Sequence, residues 1–494
     1  MNPRPRLGAA VFRSPLPTVS MRSKTVRLLA TVATLAFIAL SDGASGATAP
    51  YAGATKDIAC DKGSLPESIQ GRVSAADITS GRAAKGYTCN ARMVSHFGAT
   101  GGYRVERYAD KSGHVCGYYD STLIFPTDTP AQGTETTGTY VMDLTDPEHP
   151  VHTDTLRTPA MQSPHESLRL NQKRGLLAAD MANPGFGPAF VDVYDVTADC
   201  RHPVLQASSP MGLLGHESGF SPDGNTFWVA SLSGNTLAAV DVSNPKMPTL
   251  IWLSYTYIAH GVSISNDGNR LYMADNATNA LTILDVSQVQ KRLSNPTVTI
   301  VSRFAWQPVS IPQNATPFTL KGHHYLLETD EYAKVPRNSG PPVVGAARII
   351  DIQNEKHPFL VSNMRLAVNQ PAAMVGDQTK DPGANSATNG NLQGYAAHYC
   401  TLPSRVNPNV IACSFIQSGL RVFDVRDPYH PQEIAYFNQP PTGGGASNAF
   451  AAPAYDEAHG NIWYSDGHSG FYVVHLTKST GIATFAAKVV LPGN

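Results

Sequence analysis

Residues 216–253 read HESGFSPDGNTFWVASLSGNTLAAVDVSNPKMPTLIWL, and this stretch predicts one complete unit of structure. Two β-rich runs flank Asp223-Gly224, a dipeptide that strongly favours a tight hairpin turn. A third run, TLAAV, ends at Asp241 and is followed by SNPKMP, whose Asn and Pro residues favour a turn. The fourth run, TLIWL, comes after Pro248. The stretch therefore predicts four short antiparallel strands joined by turns.

The same unit recurs along the chain. Each copy contains a strand that ends apolar-Asp-apolar, and the last, degenerate copy has His in place of Asp. The marker residues are Asp143, Asp195, Asp241, Asp285, Asp351, Asp424 and His475. Repeated units of four short strands, with no amphipathic helix between them, are typical of a propeller. We therefore predict an all-β chain folded as a seven-bladed β-propeller of four-stranded antiparallel blades.

The first residues of the chain predict export. Met21 begins a basic segment, MRSKTVR, and the apolar run Leu28–Leu40 and a series of small residues follow, as in a secretory signal peptide. We assign 1–49 as the signal peptide region, with Met21 as an alternative start. An uncleaved membrane anchor is the other interpretation, although the run is short for a bilayer. We expect a secreted or periplasmic protein with no stable membrane span after cleavage.

The rest of the chain divides into an extension and the propeller. Residues 50–95 are expected to form an N-terminal extension that supplies the strand closing the ring, and 96–494 the propeller itself. Two stretches rich in Gly, Pro and Asn, 329–346 and 370–394, are expected to be loop insertions without regular structure.

Charge and cysteine content narrow the possible partners. Charged residues are only 15% of the 494 and the net charge is −1, so no basic surface for nucleic acid is expected. The six cysteines of an exported chain are expected to be oxidised. A Cys400–Cys413 disulfide across a hairpin is the strongest pairing prediction. Cys60 with Cys89 and Cys116 with Cys200 would complete the set, although six cysteines allow fifteen connectivities.

Several units carry a family resemblance. DVSNPKMPTLI and DVRDPYHPQEIAYF, the latter preceded by GLRVF, resemble the LVIVD-repeat family of exported bacterial propellers. The hairpins SPDGNTFWVA and SNDGNRLYMAD are also similar to those of YVTN-type and lactonase-type propellers. The resemblance covers about residues 96–490. It implies the propeller architecture, whereas such hairpins occur in binding proteins and in unrelated enzymes.

A second periodic feature is a histidine at the start of the first strand in four units. These residues are His165, His216, His260 and His398. Blade five has Asn314 and blade seven Asn448 at this point, and His96 is the candidate in blade one. The first strand of each blade lines the central channel, so equivalent positions should converge there. Imidazole nitrogens are favoured ligands of copper, iron and zinc, and four of them are predicted to share one such ion.

We call the four periodic histidines the ladder histidines, and their place at the start of the first strand the ladder position. Two carboxylates, Glu166 and Glu217, directly follow ladder histidines and are expected to orient neighbouring rings. The arrangement resembles, in geometry only, the histidine-ringed metal centres of carotenoid-cleaving propellers and the copper site of selenium-binding-type methanethiol oxidases. A structural role, in which each ring bonds a backbone carbonyl, is the alternative. The carboxylate cluster ETDEY, residues 328–332, is expected to be a solvated loop, with calcium binding as its alternative.

Three functional hypotheses follow. The first is an exported binding scaffold that presents its channel mouth to a protein, a glycan or a small molecule. The second is a metal-dependent oxidoreductase that uses the ladder histidines, and the third is a lactonase-like hydrolase with a divalent metal. No GxSxG, Walker or HExxH motif occurs, so no catalytic residue is identified from the sequence.

Overall fold

A computed structural model describes residues 53–121, 137–182, 188–232, 234–334, 343–370, 373, 393–439, 447–482 and 485. The predicted signal peptide and most of the stretch 370–394 lie outside these residues. The described chain forms seven four-stranded antiparallel sheets in a ring, which confirms the predicted seven-bladed propeller. In the described part, no helix is both long and apolar enough to cross a membrane.

The first described residues lie on the outside of the ring. The first elements are β1 (Lys56–Asp57), α1 (Ala75–Ser80), β2 (Tyr87–Cys89) and β3 (Ala91–Phe97). Blade one then comprises β4 (Val105–Ala109), β5 (Val115–Asp120), β6 (Thr139–Asp143) and β7 (Val151–Leu156), followed by α2 (Pro159–Gln162). Blade two comprises the 3₁₀ turn His165–Ser167, β8 (Arg169–Asn171), β9 (Leu176–Asp180), β10 (Phe190–Asp195) and β11 (Val204–Pro210).

Blades three to five continue the pattern. Blade three comprises β12 (Gly219–Phe220), β13 (Thr226–Ser231), β14 (Thr236–Asp241) and β15 (Thr249–Ser254). Blade four comprises β16 (Ala259–Ile264), β17 (Arg270–Asp275), β18 (Ala280–Asp285), α3 (Ser287–Gln290) and β19 (Thr299–Phe304). Blade five comprises β20 (Ile311–Leu320), β21 (His323–Glu331), β22 (Ala333–Lys334), β23 (Val343–Val344), β24 (Ala347–Asp351) and β25 (Phe359–Met364).

Blades six and seven also contain the early strands β1 to β3. Blade six comprises β26 (Ala397–Thr401), β27 (Val410–Phe415), β28 (Gly419–Asp424) and β29 (Gln432–Asn438), and blade seven β30 (Ala454–Asp456), β31 (Asn461–Asp466) and β32 (Gly470–Leu476). Strand β3 pairs antiparallel with β32 as the outer strand of blade seven, so an N-terminal strand closes the ring. Strands β1 and β2 pair with β29 on the outer edge of blade six.

The core consists of apolar layers between neighbouring blades. All six residues of β13 are buried, because a middle strand of a blade packs against a neighbouring sheet on each face. Trp228 of blade three, for example, lies in one cluster with Leu271 and Leu284 of blade four. The innermost strands contact one another around the ring and line its axis. This packing fixes the height of each inner-strand residue on the axis.

The marker aspartates all end the third strand of their blades, as predicted. In each of the six, Oδ1 accepts the backbone N–H of the residue two positions later, at 2.8–3.0 Å. The aspartate thus closes its own turn, the use of Asp that a turn sequence predicts. These residues lie on the outer part of the blades, away from the axis.

Three disulfides are present, and all six cysteines take part. The pairs are Cys60–Cys89, Cys116–Cys200 and Cys400–Cys413, with Cα separations of 4.9, 5.9 and 4.0 Å. The predicted Cys400–Cys413 pair is confirmed, because the two residues lie opposite each other in the β26–β27 ladder. Disulfides form and persist in oxidising compartments, which fits a protein outside the cytosol.

The prediction for 329–346 is wrong in part. Strand β21 runs through Glu331, and β22 pairs with β23 just beyond it. Glu328 and Asp330 are buried and form ion pairs with Arg348, so ETDEY is not a solvated loop. The reason is the period-2 alternation of a strand, which turns these carboxylates toward a buried arginine and Glu331 the opposite way.

Candidate metal centre

His260 and His398 occupy the same position in their blades. Each lies on the innermost strand, one residue after the position that pairs with the end of the second strand. The pairs that define this register are Ala259–Asp275 and Val262–Met273 in blade four, and Ala397–Phe415 and Cys400–Cys413 in blade six. Both imidazoles are fully buried. The sequence-based equivalence of these two histidines is therefore correct.

The ladder position of blade five is Gln313, and the assignment of Asn314 is wrong. Pro312 pairs with Asp330 and Ala315 with Glu328, which puts Gln313 in register with the histidines. The inner strands of blades four, five and six all have a bulge at this position. The pairing with the second strand, and not a count along the sequence, therefore identifies the equivalent residue.

Two further assignments at the ladder position are wrong. His96 lies on β3, the outer strand of blade seven, where its ring is 4.6 Å from that of Tyr472. Tyr103 lies at the ladder position of blade one. The residue after it, Arg104, forms a parallel bridge with blade seven. Glu217, the residue after His216, forms the same kind of bridge with Gly261 of blade four. Blade seven brings the backbone of Phe450 to the axis, and not Asn448.

His165, His216 and His260 follow one another around the axis. The ring centroids of His165 and His216 are 4.3 Å apart, and those of His216 and His260 are 4.6 Å apart. His165 reaches this level from a 3₁₀ turn, in which its backbone φ is +52°. A non-glycine residue with positive φ is uncommon and costs conformational energy. The turn aims both His165 and the next residue, Glu166, at the axis.

Two carboxylates lie among the four imidazoles. Glu166 Oε2 is 3.5 Å from His165 Nδ1 and 3.2 Å from His216 Nε2, whereas its Oε1 is 3.2 Å from His398 Nε2. Glu331 lies on the other side, with Oε2 3.1 Å from His398 Nε2 and Oε1 3.2 Å from His260 Nε2. We call these six residues the axial cluster: His165, Glu166, His216, His260, Glu331 and His398.

Backbone carbonyls fix the orientation of two of the rings. His260 Nδ1–H donates to the Pro312 carbonyl and His398 Nδ1–H to the Phe450 carbonyl, both at 2.7 Å. Because a carbonyl only accepts, Nδ1 carries the hydrogen, and Nε2 of a neutral ring presents its lone pair to the cluster. Metal-binding histidines commonly have their other nitrogen held in this way. Each carbonyl belongs to the next blade, so blade packing sets the ring orientation.

Five buried atoms of the cluster have no hydrogen-bond partner among the described residues. They are His165 Nδ1, Glu166 Oε1, Glu166 Oε2, His260 Nε2 and His398 Nε2. The N···O separations of 3.1–3.5 Å are close, but they lack hydrogen-bond geometry. Two ligand atoms that each lie about 2.0–2.1 Å from a tetrahedral ion are about 3.4 Å apart. The spacing of the cluster thus matches the edges of a coordination polyhedron.

The local field shifts the pKa values of three residues of the cluster. The imidazoles of His165 and His216 outweigh the effect of burial on Glu166 and hold the pKa of its carboxyl well below the ordinary value. Burial, with His165 beside it, holds the pKa of His216 well below its usual range. Burial also lowers the pKa of His398, but Glu166 and Glu331 oppose this and raise it to about 10.

Glu217 belongs to a separate layer, one residue further along its strand. Its Oε1 accepts from Arg169, Asn314 and the Tyr399 hydroxyl. Burial raises the pKa of Glu217 to about 8. None of these hydrogen bonds is with a ladder histidine, because successive residues of an extended chain face opposite ways. These contacts therefore do not support the predicted role of Glu217 in orienting the rings. Glu166, in contrast, lies directly between the rings.

Aromatic residues cover the cluster on the side of blades one and seven. The Tyr103 ring stacks on His165 at 4.1 Å, and Phe450 lies edge-on to His398 at 4.9 Å. The side chain of His216 retains 16% of its exposure, and that of His165 retains 11%. Solvent therefore reaches the cluster near His165 and His216, while its His260 and His398 half is sealed.

A wide cleft opens on the opposite side of the Glu217 layer. The inner strands lead from the cluster to this cleft, which has a volume of about 1240 Å³. Its charged lining is mostly basic: Arg104, Arg107, Arg169, Lys173 and Arg405, against Glu106 and Glu457. The guanidinium of Arg405 bonds the Ile264 carbonyl and the Asn266 side chain. Burial lowers the pKa of Arg405 to about 10.

A second group of ligand-type residues lies at the disulfide Cys116–Cys200. It consists of Asp110, His114 and Asp199. The two aspartates already accept backbone N–H groups of the surrounding loops, and Asp199 also pairs with Arg201 at 2.8 Å. The carboxylate oxygens of both aspartates are therefore already hydrogen-bonded, and this group stabilises the local loop structure.

The fold and the axial cluster define a seven-bladed propeller with histidines and carboxylates facing its axis. Residues 223–257 and 258–302 match the family model described as LVIVD repeat, so the chain contains LVIVD repeats. No curated protein matches the sequence.

Solved structures with the same kind of fold are only distantly similar. The β-propeller domain of Cps50 (Swd1) from Myceliophteria thermophila is 10% identical, with a TM-score of 0.48 over 78% of this chain and 99% of that one. The periplasmic gluconolactonase PpgL of Pseudomonas aeruginosa is 14% identical, with a TM-score of 0.44 over 70% of this chain and 95% of that one. Similarity at this level gives no information on activity.

Sequence reasoning missed Glu331 as a member of the axial cluster. The residue lies on the second strand of blade five and not on the first, so it is outside the periodic position that revealed the histidines. One signal was present: ETDEY follows a β-rich run directly, and alternation along a continued strand puts Glu331 on the face opposite to Glu328 and Asp330. Its convergence with His260 and His398 depends on contacts between blades.

Proposed function

We propose that this protein is a transition-metal-dependent enzyme whose metal centre is the axial cluster. One observation carries the proposal: buried imidazole nitrogens and carboxylate oxygens face one another at 3.1–3.5 Å without hydrogen-bond geometry. Lone pairs at such distances repel one another unless a proton or a metal ion lies between them. A metal ion does this for several of these atoms at once.

The mixed set of imidazole and carboxylate ligands narrows the range of metal ions that the cluster would bind. Imidazole suits zinc, copper and iron, and carboxylates suit harder ions such as iron and manganese. Zinc and iron accept both ligand types, and copper(II) binds imidazole tightly. The predicted range of copper, iron or zinc therefore stays a prediction. The two carboxylates make a purely histidine-ligated centre the less favoured arrangement.

Solvent access favours catalysis over a purely structural ion. Structural ions have closed coordination shells, whereas catalytic ions keep a position for water or substrate. The side chains of His165 and His216 retain partial exposure, so one side of the cluster can admit a small molecule. Either an oxidoreductase or a lactonase-like hydrolase is compatible with such an open metal centre.

Export completes the proposal. The signal-peptide pattern of 1–49 and the three disulfides support a secreted or periplasmic location. Enzymes outside the cytosol meet oxidising conditions, in which buried cysteines are paired, as all six are here. The metal ligands are accordingly imidazoles and carboxylates and not thiolates.

Metal analysis of the mature chain, isolated from an oxidising compartment, tests the proposal. We expect about one or more equivalents of iron, zinc or copper, and loss of activity on chelation with recovery on reloading. Oxygen uptake with reduced substrates and hydrolysis of lactones are the two assays that separate the reaction classes. The matched control is His430→Ala, because His430 is an exposed turn residue with a single Asp427 partner. No bound metal after loading with any of the three ions would refute the proposal.

A binding scaffold is the second candidate, and the basic cleft favours it. Arg405 lacks a carboxylate partner among the described residues, and the cleft is large enough for an organic anion. Such a protein would bind a small molecule, a glycan or an acidic protein segment at this mouth of the channel. Ligand binding that is lost in Arg405→Ala and unaffected by chelation would support the scaffold over the metal enzyme.

A further inference from the structure

The axial cluster divides into two ligand sets that share one residue. The first set consists of His165, Glu166 and His216, and the second of Glu166, Glu331 and His398. Within each set, the ligand atoms lie within 4.8 Å of one another. Glu166 belongs to both, with Oε2 directed to the first set and Oε1 to the second. The sequence had predicted that the four histidines surround one central point. The two ligand sets do not form such an arrangement.

We infer that the centre holds two metal ions bridged by the Glu166 carboxylate, an inference that rests on the proposed function. The first ion would be bound by His165 Nδ1, His216 Nε2 and Glu166 Oε2. The second would be bound by His398 Nε2, Glu166 Oε1 and Glu331, with His260 Nε2 3.2 Å from the other Glu331 oxygen. Paired ions in enzymes are about 3.5–4 Å apart, a separation that one carboxylate can bridge.

The charge of the cluster supports the presence of bound cations, and the division into two ligand sets supports two of them. Glu166 and Glu331 form no ion pair with lysine or arginine in the described part of the chain, and their ion-pair partners there are all histidines. The neighbouring buried carboxylates Glu328 and Asp330 both pair with Arg348. Burial of a carboxylate without a cation is strongly unfavourable. Arginine thus neutralises Glu328 and Asp330, whereas Glu166 and Glu331 face only histidines, which are residues of the metal-ligand type.

The two sets also differ in solvent access, which gives the ions different roles. The first set includes the partly exposed side chains of His165 and His216, so its ion has room for water or substrate. The second set is more deeply buried, because His398 is fully buried and the side chain of Glu331 retains only 7% of its exposure. We therefore assign the exchangeable, substrate-facing position to the first ion and the more tightly held position to the second.

Metal titration of the full mature chain with manganese(II) or zinc, followed by elemental analysis, tests the inference. We expect about two equivalents per chain, and an exchange-coupled electron paramagnetic resonance signal for the manganese form. His216→Ala should retain about one equivalent, held by the second set, and lose the coupling. His398→Ala should likewise retain about one, while His430→Ala should retain two.

Each outcome decides between the inference and its alternatives. Saturation at one equivalent in the wild-type chain, abolished by either His216→Ala or His398→Ala, would mean one shared ion and overturn the inference while leaving the proposed function intact. No bound metal at all would overturn both. If His398→Ala does not fold, as judged by circular dichroism, Glu331→Gln removes a ligand of the second set with little change of shape and should likewise leave one uncoupled ion.

Discussion

The aspartates at the strand ends and the histidines on the axis recur with the same period but have opposite hydrogen-bond environments. Each marker aspartate accepts the backbone N–H two residues later, so its bond is made within its own turn. The axial histidines of blades four and six each leave Nε2 without a hydrogen-bond partner in the described structure, next to a carboxylate of another blade. Periodicity therefore identifies equivalent positions, and the state of their hydrogen bonds separates structural residues from candidates for function.

The largest effect is expected from removal of two axial ligands. His216→Ala with His398→Ala takes one imidazole from each ligand set, and metal affinity should fall by more than about 100-fold, beyond the effect of losing an outer partner. Elemental analysis after dialysis measures it, and circular dichroism should still show a β-rich fold. His149→Ala with His430→Ala, two exposed turn histidines, is the matched control and should leave the metal content unchanged. Equal metal loss in both pairs would remove the distinction between axis and turns.

A smaller effect is expected where the backbone of two blades meets at the axis. A Cβ on Gly261 would lie 1.8 Å from Glu217 Oε2 and 2.2 Å from the Gln313 carbonyl oxygen. Gly261→Ala should therefore reduce the free energy of unfolding by about 1–3 kcal/mol, the usual cost of overpacking. Denaturant unfolding measures it, with Gly53→Ala as the control because no atom lies within 4 Å of its added Cβ. An unchanged midpoint for Gly261→Ala would show that the Glu217 layer is loosely packed.

The smallest effect is expected for a single marker aspartate. Asp241→Ala removes the acceptor for Ser243 N–H at 2.8 Å and the ion pair with Arg292 at 3.1 Å. The expected loss is about 1 kcal/mol, as for other local side-chain to backbone bonds, and the metal content should not change. Asp241→Asn retains a turn acceptor and should lose less. A change of bound metal in either variant would contradict a purely structural role for these aspartates.

The features that depend on local sequence could be predicted, and those that depend on contacts between blades could not. The turns at Asp143 to Asp424 are specified by neighbouring residues, so the blade count and the strand ends follow from the sequence. His260 and His398 were found because they keep the same register. The equivalent residue of blade five, Gln313, was missed by one position because strand pairing defines it, and His165 reaches the axis from an irregular turn with positive φ. Glu331 lies on a second strand, and its role depends on where two other blades place their histidines.

The pairing of the cysteines shows the same distinction. Cys400 and Cys413 lie on adjacent strands of one hairpin, so their pairing follows from local structure. Cys116 and Cys200 belong to different blades, and Cys60 lies before the first described helix. The sequence offered those two pairs only as a way to complete the set, since fifteen connectivities were open.

Anomalous diffraction from metal-loaded crystals of the mature chain tests the central claim most directly. We expect anomalous peaks on the propeller axis, within about 2.0–2.3 Å of His216 Nε2 and of His398 Nε2, with Glu166 oxygens at similar distances. The contradicting result is an axis without a peak in crystals loaded with metal, in which His398 remains in contact with Glu166 and Glu331 as a simple ion pair.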